Sequence, residues 1–282
     1  MKVQIMVDST VDLTPELEQR LDMVPLSVHF GEEEYLDGVT ITRREFYENL
    51  IESDVMPTTS QATPHAFGEA YKKAFAAGCD QIVVVTISCN LSGTYQSACI
   101  AAEDYPGKVF VVDSHSVTIG ATVLVEYGLR LADQGCTGEE IAKELEQKRD
   151  RVHLVALLDT LEYLKKGGRI SKSVALAGSL LSIKPVVSVE NGEILMLGKA
   201  RGSKQGSNLL TKEIQKAGGV DFRMPVMLGY TGLSDQLLVK YAEDSGDLWK
   251  GQVDHLDSTC VGSVVGTHAG PGAVAVAFFQ KN

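Results

Sequence analysis

A chain of 282 residues exceeds the usual reach of one hydrophobic core, so two domains are expected, and a composition of 44% hydrophobic and 22% charged residues is that of ordinary globular protein. The formal net charge is −11 with no cluster of Lys and Arg, which excludes a non-specific nucleic-acid binder, since such a protein needs concentrated positive charge to displace counterions. Five cysteines without a C-x-x-C argue against a disulfide framework or a zinc site, and no apolar run reaches the ~18 residues of a membrane-spanning helix.

Met1 leads straight into the strand-like run Val3–Val7, so no signal peptide is expected and the chain reads as cytoplasmic. The polar loop Asp8-Ser9-Thr10 follows, and Thr14-Pro15 opens a helix. A strand is expected over Val24–Phe30 and a helix over Thr42–Glu52. A polar loop at Met56–Ala62 and a helix from Thr63-Pro64 to Gly78 come next. Ile82–Ile87 is a continuous β-branched run, the pattern of a parallel strand covered on both faces. The loop Ser88–Gly93, a helix to Glu103, a strand at Val109–Val112 and a helix at Val117–Asp133 complete an alternation that implies a parallel sheet. Thr137 and Glu140 form a capping box for a further helix.

The second half changes character. Leu154–Leu158 reads as a strand, Thr160–Lys166 as a short helix closed by Gly167-Gly168, and Ser171–Leu181 as a helix. Val186–Val189 and Ile194–Leu197 flank Asn191-Gly192, a type I′ hairpin signal that adds antiparallel pairing. A helix at Gln205–Ala217, a strand at Val226–Tyr230, a helix at Asp235–Glu243 and a strand at Ala273–Phe279 follow. The expectation is a two-domain α/β fold. Residues 1–155 form an N-terminal parallel-sheet domain and residues 156–282 a C-terminal mixed or antiparallel α/β domain.

Four polar loops follow strands or open helices, where open α/β sheets bind ligands. Asp8-Ser9-Thr10 lacks the second Asp of a phosphotransfer nucleophile motif, and a hydrogen-bonded turn is its simpler reading. Thr58-Thr59-Ser60-Gln61 offers hydroxyl donors that also serve as helix caps. In Ser88–Ser97, Gly93 permits close backbone approach and the helix start attracts an anion, as in a phosphate or carboxylate cradle. Asn90 stands where a G-x-S-x-G elbow needs glycine, so this is not a serine hydrolase loop. Gly262–Gly272 surrounds His268 with glycines, and alone it reads as a tight turn bearing a surface histidine. The basic segments 165–171 and 198–204 contain no nucleotide motif.

Taken in order, Asp8-Ser9-Thr10, Thr58-Thr59-Ser60-Gln61, Leu91-Ser92-Gly93-Thr94-Tyr95-Gln96-Ser97, Val112-Asp113-Ser114, Lys166-Gly167-Gly168-Arg169-Ile170 and Gly266-Thr267-His268-Ala269-Gly270-Pro271-Gly272 resemble the DegV family of bacterial fatty-acid-binding proteins, over nearly the whole chain. The resemblance implies an acyl chain in a lipid tunnel between the domains and a carboxylate held by Thr59 or its neighbour Ser60, by Ser92, Gly93 and Thr94, and by His268. It implies a partner, a fatty acid kinase subunit, that converts the carboxylate to an acyl phosphate, with Arg169 and more weakly Arg201 facing that partner or the phosphoryl group. No catalytic residue, cofactor or metal is expected in this chain, and the fatty acid is its ligand. Two departures stand out: Ala62 where many relatives have Pro, and Cys89-Asn90 in place of a Ser-Gly lead-in.

The tail of such a ligand gains ~0.8 kcal/mol for each methylene buried, and its carboxylate needs donors. Ile87, Leu124, Leu157, Leu161, Leu176, Leu180 and Ile183 could wall a tunnel, although plain core accounts for most of them. The competing class is a hydrolase or phosphotransfer enzyme built on Asp8, Ser92 and His268, which requires Ser92 within hydrogen-bond reach of His268. A third reading is a binding domain for another small anion.

Overall fold

The computed structural model describes residues 1–170 and 183–281, and the helix expected over Ser171–Leu181 lies outside them. The chain opens with β1 (Val3–Asp8), a one-turn helix α1 (Pro15–Glu18) capped by Thr14, and β2 (Asp22–Val24). Pro25 has no N–H to offer a ladder, and there the chain leaves the first sheet. The single strand expected over Val24–Phe30 is thus two strands in two sheets. β3 (Ser27–Phe30) pairs instead with β4 (Glu33–Leu36) and with β5 (Thr58–Ser60) in a small antiparallel sheet. β5 lies where a loop is expected. Its pairing to β3 sets Thr59 opposite Val28 and turns Thr59 inward while Thr58 and Ser60 stay exposed.

Helix α2 (Arg43–Glu52) carries the Thr42–Glu45 capping box, and α3 (Pro64–Ala76) begins on Thr63 with Pro at its first turn. β6 (Gln81–Thr86), α4 (Thr94–Ala102), β7 (Val109–Asp113), α5 (Thr118–Asp133) and α6 (Gly138–Lys148) follow, the last with the expected Thr137–Glu140 box. The main N-terminal sheet is parallel throughout, in the order β2-β1-β6-β7. Asp8, Ile87 and Asp113 therefore stand together at its carboxyl edge.

The second sheet takes β8 (Val152–Leu157), then α7 (Glu162–Lys166), and the hairpin β9 (Ile183–Glu190) and β10 (Glu193–Arg201). The hairpin turn has positive φ at Asn191 and Gly192, as the type I′ signal requires. After α8 (Gly202–Lys216) come β11 (Val226–Tyr230), α9 (Gln236–Asp244), α10 (Gly246–Trp249), β12 (Asp257–Cys260), α11 (Ser263–Ala269) and β13 (Val274–Phe279). The order is β10-β9-β8-β13-β11-β12, antiparallel except for the β11–β12 pair. The fold is the expected two-domain α/β arrangement of one parallel and one mixed sheet. Residue 155 falls inside β8, all of which belongs to the second sheet.

Helix α5 explains how the two sheets meet. Its residues Thr118–Val125 are all buried, and it packs on β1 and β6 from one sheet and on β8, β11 and β13 from the other. A helix apolar all round is what a site between two sheets demands. The largest apolar cluster accordingly mixes Ile5, Val7, Val83 and Val85 with Leu154, Met227, Ala277 and Phe279. Among the described residues no helix is long and apolar enough to cross a membrane.

Candidate functional site

A cavity of about 250 Å³ opens between the two sheets. That is slightly below the ~300–1,000 Å³ of common ligand pockets. Its apolar wall comes from Ile87, Leu91, Val117, Leu154, Ala156, Leu158, Leu164, Val187, Val189, Ile194 and Val264, and its polar groups include Thr59, Ser60, Gln61, Ser92, Gly93, Arg169 and His268. Four segments scattered from residue 59 to residue 268 thus converge on one end of a mainly apolar space.

The central polar contact joins Thr59 Oγ1 to His268 Nε2 at 3.0 Å. Thr59 is brought there by β5, and His268 by the last turn of α11. This helix has no side-chain cap of its own. Its start is held by carboxylates from the N-terminal half: Asp12 accepts from Gly262 N at 2.6 Å, and Asp37 from Ser263 N at 2.9 Å and Val264 N at 3.4 Å. Gly266 lets the helix lie against Phe46 and Tyr47, where a β-carbon would collide with both rings. Gly167 packs against the Nδ1 and Cε1 atoms of the imidazole, and Nδ1 has no partner among the described residues.

Burial first and the charge of Arg169 second push the His268 pKa down from 6.5 to about 4. The ring is therefore neutral at physiological pH. The unfolded chain takes up this proton near pH 6.5, before the folded one does, so the contribution to stability is complete above pH 6.5 and is lost as pH falls from there to about 4. Asp12 runs the other way. Burial raises its carboxyl to about 7, so its contribution is complete below 3.8 and is lost as pH rises through 7. The difference between wild type and His268→Gln isolates the histidine. Urea unfolding of the lipid-free proteins should show wild type losing stability relative to the variant between pH 6.5 and 4. A constant difference would refute the assigned shift.

Ser92 Oγ lies 2.9 Å from Thr94 Oγ1, and Thr94 N donates to Ser92 Oγ at 3.3 Å. Gly93 begins α4 without a side-chain cap, leaving the N-terminal dipole of that helix pointed at the cavity end. Arg169 donates through Nε to Leu91 O at 3.2 Å and through Nη1 to Gly167 O at 2.7 Å, so it clasps the Ser92 loop while its guanidinium borders the cavity. Ser60 sits at the rim and pairs with His29 Nε2 at 2.9 Å. Arg201 is exposed at the junction of β10 and α8, away from the residues that line the cavity.

The sequence reading omits Gln61 and Thr118 from the site. Gln61 Nε2 donates to Ser97 Oγ at 3.1 Å, and its amide fills the space a β-carbon on Gly93 would need. Thr118 lines the cavity at a φ of 48°, strained for a β-branched residue, and its hydroxyl donates to Asp12 Oδ2 at 2.5 Å. Position beside the Thr59 hydroxyls could have flagged Gln61; no sequence signal marks Thr118. Of the proposed tunnel walls, Ile87 lines the cavity. Leu124 and Leu157 are buried in core clusters and Leu161 packs on one. Leu176 and Leu180 lie outside the described residues.

Asp8 does not reach the cavity. Its carboxylate accepts from Thr10 N, Thr10 Oγ1 and Ile87 N, at 2.9, 2.5 and 2.8 Å. No hydrogen bond joins Ser92 to His268 among the described residues, because each has another partner. No group of three or more His, Cys, Asp or Glu side chains that could hold a metal occurs among the described residues.

An apolar space closed at one end by hydroxyls, a helix N-terminus and an arginine is the arrangement of a site for an amphiphile with an acidic head. Compared with known proteins, the chain matches the family described as "Uncharacterised protein, DegV family" over residues 2–281, and it belongs to that family. A DegV domain-containing protein of Deinococcus radiodurans is 36% identical over 98% of each chain, and one of Caldanaerobacter subterraneus is 32% identical over 99% of each. Among solved structures, a DegV family protein of Thermus thermophilus described for its fatty acid binding superposes with a TM-score of 0.88 at 30% identity, covering 99% of this chain and 100% of that one. A stearic-acid-binding protein of Eubacterium ventriosum gives 0.87 at 28% identity, covering 99% and 98%. Fatty acid binding is thus a property of DegV family proteins.

Proposed function

We propose that this protein binds one long-chain fatty acid, with the acyl tail in the cavity and the carboxylate between Thr59, Ser92 and the start of α4. The observation that carries this reading is the Thr59–His268 pair at the polar end of an apolar cavity. A neutral His268 that donates Nε2–H to Thr59 Oγ1 leaves the threonine proton free for the ligand. Nδ1, packed against Gly167, is then an acceptor with no donor among the described residues. Purified protein, denatured and extracted for mass spectrometry, should release close to one C16 or C18 acid per chain. An empty extract together with no uptake of added palmitic acid overturns the reading, and Asp8, Ser92 and His268 then become the sites to test for an enzyme.

The bound carboxylate is presented to a separate kinase, which supplies ATP and forms the acyl phosphate. The exposed Arg169 beside the Ser92 loop supports this, since a guanidinium there can meet a phosphoryl group as well as a carboxylate. Arg201 is the second, more distant basic residue proposed to face the kinase. Five free thiols fit work in the reducing cytoplasm. With the cognate kinase, Arg169→Ala should cut acyl-phosphate formation more than tenfold while retaining most of the lipid. Loss of the lipid itself would reassign Arg169 to ligand retention.

A further inference from the structure

We infer that the β9–β10 hairpin turn is a positioning element for the carboxylate cradle, acting through Ser88 and Asn90; this rests on the fatty-acid reading. The turn belongs to the second sheet and the cradle loop to the first, yet they are joined by two hydrogen bonds. Ser88 Oγ donates to Gly192 O at 3.0 Å, and Asn90 Nδ2 donates to Asn191 O at 3.1 Å. The contact is close enough that a β-carbon on Gly192 would overlap Ser88 Oγ. From the clasped residue the constraint passes directly to the ligand-facing one. The Ser88 carbonyl accepts from Leu91 N at 3.0 Å and Ser92 N at 3.2 Å, and Ser88 Oγ also accepts from Asn90 N at 3.1 Å. Ser88 is fully buried, so these bonds face little competition from water. The same hairpin supplies Val187, Val189 and Ile194 to the cavity wall. One rigid ribbon therefore touches the tail of the ligand with its strands and sets the head-group loop with its turn.

Neither Ser88 nor Asn90 is among the residues lining the cavity. Their effect must appear in carboxylate recognition and not in tail burial.

The test compares palmitic acid with hexadecanol, which has the same tail and no carboxylate, on wild type, Asn90→Leu and Ser88→Ala. Asn90→Leu keeps the branched shape of the side chain, removes the donor and adds no charge; its position is exposed, so the variant folds even if Ser88→Ala does not. Palmitic acid should bind about fivefold more weakly to each variant, the worth of one hydrogen bond, with hexadecanol affinity unchanged. Equal weakening of both ligands, or no weakening of the acid, overturns the assignment. Wild type that binds neither ligand overturns the fatty-acid reading, and this assignment with it.

Discussion

Ala156→Trp is expected to empty the cavity of fatty acid and leave the protein folded. Ala156 is a half-buried residue of β8 on the cavity wall, paired with Val187 of β9, which lines the same wall. An indole there takes up much of a space of about 250 Å³. Excluding ~6 methylenes removes ~5 kcal/mol of tail burial, a weakening of ~10³–10⁴-fold. The ring projects into a void, so the overpacking strain of a filled core does not arise. The check is extracted lipid per chain alongside a thermal melt. Full lipid content in a folded variant would show that the tail lies elsewhere.

The second large effect is on stability. Asp8→Ala should cost ~4 kcal/mol, because it leaves two backbone N–H groups and the Thr10 hydroxyl without their acceptor in a dry interior. Burial raises the Asp8 pKa even though three donors pull it down, which shows how thoroughly the group is cut off from water. Its bond to Ile87 N ties the end of β1 to the end of β6, immediately ahead of the cradle loop. Asp8→Asn keeps the acceptor for Thr10 but turns an amide toward the Ile87 N–H or loses one oxygen's bonds, and should lie between the two. Urea unfolding at neutral pH ranks the three proteins. Stability of Asp8→Ala within 1 kcal/mol of wild type would remove the anchoring role, whereas a loss of turnover without a loss of stability would revive Asp8 as a nucleophile.

Strong local patterns carried most of this fold. The β-branched run before Ser88, the Thr137–Glu140 capping box and Asn191-Gly192 each specify their element through bonds within a few residues. Elements fixed by distant partners were not legible. β5 is a strand only because β3 lies beside it, and β12 is a short polar strand, mostly exposed, at the sheet edge. Helix α11 reads as a glycine-rich turn because its caps are Asp12 and Asp37, more than 220 residues away, and because Gly266 serves close packing and not a bend. The site divides in the same way. Ser92, Gly93 and Thr94 follow a readable strand, and Thr59 and His268 stand out as polar groups, but their 3.0 Å contact spans 209 positions that no local pattern encodes. Gln61 and Thr118 owe their places to Ser97 and Asp12, 36 and 106 positions away.

The position of β13 sets an order of events during synthesis. This last strand lies in the middle of the second sheet, between β8 and β11, and the helix carrying His268 comes just before it. The ribosome must release the chain through β13 before the second sheet can close, and through His268 before the Thr59–His268 pair can form. Until then the cavity is an unfinished trough with apolar strand edges exposed, the state in which a nascent chain is most open to aggregation.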